Sequence, residues 1–108
     1  MIKVIFYREK DEIYTGFSAE GHAGYGEYGR DIVCAAVSAL VINTVNAIEK
    51  FTDNKFSLEQ GTSGTIKFNF SSASDRDGQL LLKALVLGIT EIYKEHGNDY
   101  LQVYFKEV

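Results

Sequence analysis

Apolar and polar residues alternate from the first turn of the chain. Ile2 to Arg8 reads as a strand, and the polar run Glu9-Lys10-Asp11-Glu12 reads as a turn into a second strand. In that second run Ile13, Thr15, Phe17 and Ala19 fall on one face. Tyr14, Gly16, Ser18, Glu20 and His22 fall on the other, so a β-hairpin is expected with His22 at its far end. The segment Ala23-Gly24-Tyr25-Gly26-Glu27-Tyr28-Gly29 carries three glycines, which permit positive backbone angles and predict a mobile loop. From Asp31 to about Phe51 the period changes. Ile32, Val33, Ala36, Val37, Leu40, Val41, Thr44, Val45 and Ile48 recur at the three-and-four spacing of a helix. Its remaining positions include Ala35, Ala39, Ile42 and Ala47, which predicts cover on more than one side, by the sheet and by another helix or a partner subunit.

A second hairpin is expected from Lys55 to Gln60 and Thr65 to Phe70, around the turn Gly61-Thr62-Ser63-Gly64. Ser72 to Asp77 holds several N-cap residues, and Leu81, Leu85, Ile89 and Ile92 then mark a helix that ends near Gly97. Tyr100 to Lys106 supplies a last strand. The order ββα, ββα, β predicts one α+β domain over residues 1–108, with a largely antiparallel sheet and two packed helices.

Composition narrows the function classes. A length of 108 residues suits one core without staples, and 45% hydrophobic with 24% charged residues fits a globular chain. The net charge is −4 and Lys and Arg form no cluster, which speaks against a direct nucleic-acid partner. No run approaches the roughly 18 consecutive apolar residues of a membrane span, so no membrane partner is expected. Cys34 is the only cysteine, which excludes an internal disulfide. One thiol and two histidines fall short of a zinc set, so neither a metal nor another cofactor is expected, and a reducing cytoplasm fits best.

Cys34 is the first candidate for chemistry. With a helix starting at Asp31 it stands near the first turn, where unpaired N–H groups and the helix dipole favour a thiolate, the nucleophilic form. Free cysteines are also among the most buried residues, and Ala35-Ala36 beside it looks like core. His22 lies twelve residues earlier, and a folded-back glycine loop brings imidazole and sulfur within reach without requiring contact. His96 sits at a helix end, where imidazolium suits the negative dipole.

Gly21-His22-Ala23 together with Gly29-Arg30-Asp31-Ile32-Val33-Cys34-Ala35-Ala36-Val37-Ser38-Ala39-Leu40 resembles the ribosomal-processing cysteine protease family, Prp, and the chain's length and ββα order are similar to that family too. The resemblance implies that His22 and Cys34 are the catalytic pair. It further implies a cytoplasmic homodimer that trims an N-terminal extension from a large-subunit ribosomal protein. Gly21, Tyr25, Glu27, Tyr28, Asp31 and Ser38 are supporting or substrate-binding candidates. Asp31 either orients His22 or caps the helix by accepting from the N–H of Val33 or Cys34. Ser38 either makes a polar contact in the site or bonds back to the carbonyl of Cys34.

Two rival readings stand beside this one. Gly24-Tyr25-Gly26-Glu27-Tyr28-Gly29 matches G-x-G-x-x-G before a helix, the pattern of a nucleotide-binding module. Against it, the preceding strand belongs to a hairpin, and Glu27 and Asp31 repel phosphate. The other rival is a non-enzymatic ribosome-associated assembly adaptor, with Cys34 packed inertly.

Overall fold

The computed structural model describes residues 1–21, 28–61, 64–96 and 99–108, with side chains from residue 32 onward in the second segment. Strands β1 (Ile2–Glu9) and β2 (Ile13–Glu20) form the first hairpin, followed by α1 (Tyr28–Phe51). Then come β3 (Phe56–Gln60), β4 (Ile66–Phe70), α2 (Arg76–His96) and β5 (Leu101–Glu107). The ββα-ββα-β order expected from periodicity is the observed one. The sheet runs β3-β4-β2-β1-β5, antiparallel except where β1 pairs in parallel with β5. Each helix is therefore a crossover between strands that point the same way, which a hairpin cannot connect.

Period-two alternation sends one face of every strand toward the helices. Ile2, Val4 and Phe6 of β1, Phe17 and Ala19 of β2, Ile66 and Phe68 of β4 and Leu101 of β5 are all buried. Register aligns an aromatic row across the sheet, with Phe6 opposite both Phe105 and Phe17, and Phe17 opposite Phe68. Phe56 of β3 extends the row, its ring centroid 4.9 Å from that of Phe68. Such offset and edge contacts add to area burial. From the helices, Val33, Val37, Val41, Val45 and Ile48 of α1 and Leu82, Leu85 and Ile89 of α2 complete one core.

The alternation breaks once. Register passes from Tyr7 opposite Gly16 to Arg8 opposite Tyr14, which leaves Thr15 as the extra residue of a β-bulge. Sequence alternation alone puts Ile13 on the core side and Tyr14 outside, and the bulge reverses them. Tyr14 is 6% exposed and packs edge-on against Phe6, whereas Ile13 is 46% exposed. A bulge also disturbs the ladder, and here α2 supplies the partner. The Tyr14 N–H donates to Gln79 Oε1 at 2.8 Å, and Gln79 Nε2 donates to the Tyr14 carbonyl at 2.6 Å.

The two helices meet closely at Gly88, where a Cβ would lie 2.8 Å from Leu40 Cδ1. Of the N-caps offered by Ser72 to Asp77, Asp75 is used. Its Oδ1 accepts from the Gly78 N–H at 2.9 Å and from Asn54 Nδ2 at 2.8 Å, and its own N–H donates to Asn54 Oδ1 at 3.0 Å. These bonds, Asn54 first and then the Gly78 amide, hold the Asp75 carboxyl below its ordinary pKa.

Although its apolar residues are interrupted by Ser38, Asn43, Thr44 and Asn46, the 20-residue segment Ile32–Phe51 contains an 18-residue window of mean hydropathy 1.8 and is long enough to cross a membrane. It packs here as a core helix, with Val33, Val37, Val41, Val45 and Ile48 against the sheet.

Candidate active site

Strand β2 ends by delivering the chain to Gly21, which adopts φ +79°. A side chain there would also run into the Met1 carbonyl, so the position requires glycine twice over. The next residue is His22. It lies outside the described residues, as do Tyr25, Glu27 and the rest of residues 23–27, the larger part of the segment 23–29 expected to be a mobile loop.

Helix α1 starts at Tyr28, three residues earlier than periodicity predicts. Tyr28 and Gly29, expected in the loop, are therefore helical, and the G-x-G-x-x-G pattern runs into the helix itself. Because β2 pairs antiparallel with both of its neighbours, that pattern does not sit between adjacent parallel strands as in a dinucleotide site. Asp31 lies inside the first turn and is not the N-cap, which removes the capping reading.

Cys34 is likewise corrected in position. It is the seventh residue of α1, in the second turn, where its N–H belongs to the helical ladder. Among the described residues, the amides left without helical acceptors are those of residues 28–30, one to two turns before the sulfur. Cys34 is half-buried and packs against the core. Ser38, one turn on, is half-buried on the same face.

Helix geometry also fixes which way that face looks. At 3.6 residues per turn, Cys34 and Leu40 lie about 120° apart around α1. Leu40 faces α2 at Gly88, so Cys34 lies toward the β3–β4 side. That flank continues into Val41, Ile42, Val45 and Asn46, which line a groove with Leu58 and Gln60 of β3 and Ile66 of β4. No group of three or more His, Cys, Asp or Glu side chains able to hold a metal occurs among the described residues.

Residues 1–102 match the family described as Cysteine protease Prp. The chain belongs to the Prp family of cysteine proteases. Among Prp relatives, the ribosomal processing cysteine protease Prp of Bacillus subtilis is 31% identical, covering 95% of this chain and 96% of that one. The crystal structure of SMU.848 from Streptococcus mutans superposes with a TM-score of 0.90 at 38% identity, over 100% of this chain and 96% of that one. A Prp from Staphylococcus aureus, solved in complex with a substrate peptide, gives a TM-score of 0.90 at 28% identity, over 98% and 100% of the two chains. The α+β fold expected from the sequence is thus the Prp fold.

The sequence reading missed two features. Gln79 was not singled out because its partner, Tyr14, is 65 residues away. The groove beside β3 depends on how α1 crosses the sheet, which no local signal encodes.

Proposed function

We propose that this chain is a cysteine endopeptidase that uses Cys34 as nucleophile and His22 as general base to remove the N-terminal extension of a large-subunit ribosomal protein. The single observation that carries the assignment is that a member of a cysteine protease family needs a thiol nucleophile and this chain has one cysteine, Cys34. The structural support is its half-buried place on α1. For the base, His96 belongs to α2, on the flank of α1 that Leu40 rather than Cys34 faces. His22 follows directly on the tight turn at Gly21.

In the first step His22 accepts the thiol proton as Sγ attacks the scissile carbonyl carbon. Collapse of the tetrahedral intermediate breaks the C–N bond, and the imidazolium gives its proton to the leaving amine. Water then attacks the thioester, with His22 again taking a proton, and the carboxylate product and free thiol are released. Oxyanion stabilisation draws on the amides at the start of α1, which the helix itself leaves without acceptors. Tyr25, Glu27 and Tyr28 contact the substrate, Asp31 orients His22, and Ser38 extends the polar side of the site.

The names of the relatives support ribosomal processing as the setting, and the reducing cytoplasm suits a lone thiol. A homodimer is supported by the outward side of α1. Ile32, Ala35 and Ala39 are exposed along one stripe outside the groove, and only 33% of the apolar window is buried.

Incubating the protein with the N-terminally extended ribosomal protein and measuring product masses tests this reading. One shortened product is expected, and none with Cys34→Ser. Turnover by Cys34→Ser at the wild-type rate overturns the nucleophile, and an uncut ribosomal protein overturns the substrate.

A further inference from the structure

From the groove between α1 and β3 we infer an aliphatic subsite, which receives one leucine-like side chain of the substrate three to five residues from the scissile bond. The inference rests on Cys34 being the nucleophile. Val41, Val45 and Ile66 form the floor, all nearly buried, while Ile42 and Leu58 form a rim that is 52% and 39% exposed. Asn46 and Gln60 stand as the polar edge. An apolar floor open to solvent under an apolar rim gains by covering, and the polar edge offers partners for a peptide main chain.

Size selects the occupant. The groove holds about 80 Å³, roughly half of the ~150 Å³ cavity that admits a benzene ring. A single aliphatic side chain fits this open groove.

Position connects the groove to the chemistry. Cys34, Ser38, Val41 and Val45 follow one another at four- and three-residue steps along one flank of α1. Val41 and Val45 are about 10 and 16 Å beyond Cys34 along the axis. An extended peptide covers that span in about three to five residues. Such a peptide also has a track to follow, because β3 is an edge strand whose outer hydrogen-bonding groups face away from β4. A strand laid along that edge sends alternate side chains to the helix side of the sheet, where the groove opens.

The test uses a synthetic peptide covering the N-terminal extension of the ribosomal protein and the first residues beyond it. Serine replaces each residue in turn, and kcat/KM is measured with wild type and with Leu58→Ser. One aliphatic position, three to five residues from the cut, is expected to lose roughly tenfold on replacement by serine. With Leu58→Ser the unmodified peptide loses a comparable factor, and the penalty for serine at that position shrinks.

A flat serine scan over those positions, or an undiminished penalty in Leu58→Ser, overturns the subsite. Methyl NMR of Cys34→Ser with the uncut peptide provides a readout independent of turnover. Shifts at Val41, Val45, Leu58 and Ile66 support the groove even where cleavage fails. If cleavage proceeds while those methyls stay silent, the groove is wrong and the nucleophile stands. Sedimentation of the free protein in the same buffer identifies a second copy as the occupant if Leu58→Ser dissociates a dimer, an outcome that also overturns the inference.

Discussion

The side-chain amide of Gln79 pairs with both backbone groups of Tyr14, donating to its carbonyl and accepting from its N–H. It therefore acts as a surrogate strand at the point where the bulge disturbs the ladder, and it ties α2 to β2 at the same time. Gln79→Ala leaves two half-buried backbone groups without these partners, and a loss of about 2 kcal/mol is expected. Urea denaturation, with an unchanged m-value and a lower midpoint, is the measurement. Gln79→Glu keeps only the acceptor and should fall between the two.

Gly16 has no room for a methyl group. A Cβ there would collide with the Phe68 carbonyl and lie 2.7 Å from Asn69 Oδ1. Since the main obstacle is backbone of the paired strand, it cannot rotate away. Gly16→Ala is expected to destabilise by about 2 kcal/mol, read as a lower thermal midpoint.

Gly21 links stability to catalysis. Gly21→Ala incurs the left-handed penalty of about 1–2 kcal/mol and pushes against Met1, just before His22. Processing should fall more than the folded fraction does. Comparing initial rates with circular dichroism at the same temperature separates the two effects.

Thiol chemistry tests the proposed pair directly. The pH dependence of Cys34 alkylation should differ between wild type and His22→Ala, because imidazolium beside the sulfur favours the thiolate. Superimposable profiles would show that the two side chains do not interact.

Asp75 sets a pH dependence of stability. Its pKa is lowered in the folded state, so the ionised cap contributes stability above the ordinary carboxylate range, and that stability is lost as pH falls through the depressed folded value. The gap in thermal midpoint between wild type and Asp75→Ala should therefore be widest near neutrality and narrow in strong acid.

Element order and the core faces of β1, β4 and both helices were legible because long periodic runs encode them. Leu85 and Ile89 of the predicted α2 stripe are buried, whereas Leu81 and Ile92 are only half-buried and Leu82, beside Leu81, takes the core position. Failures came where local chemistry was silent. Glycines at 24, 26 and 29 argue for a loop, yet the backbone is helical from Tyr28, so Cys34 lies one turn deeper than expected. Nothing in Ile13-Tyr14-Thr15 announces a bulge, because the side-chain exchange is decided by the partner strand and by Gln79 across the sequence. For the site, Cys34 and His22 were legible as residue types within a specific pattern, whereas the groove toward β3 arises only when α1 is laid across the sheet.

The parallel pairing of β1 with β5 joins Ile2 to Leu101 and Arg8 to Glu107. Half of the hydrogen-bonding capacity of a strand made first is thus satisfied by the strand made last. Contact order is raised accordingly, and folding should be slower than the two helices alone would suggest. During synthesis the β1–β2 hairpin has to wait with an open edge beside Val4 and Phe6, a state prone to pairing with other chains. Completion of the sheet, and of the core beneath it, is therefore a late event that depends on residues 101–107.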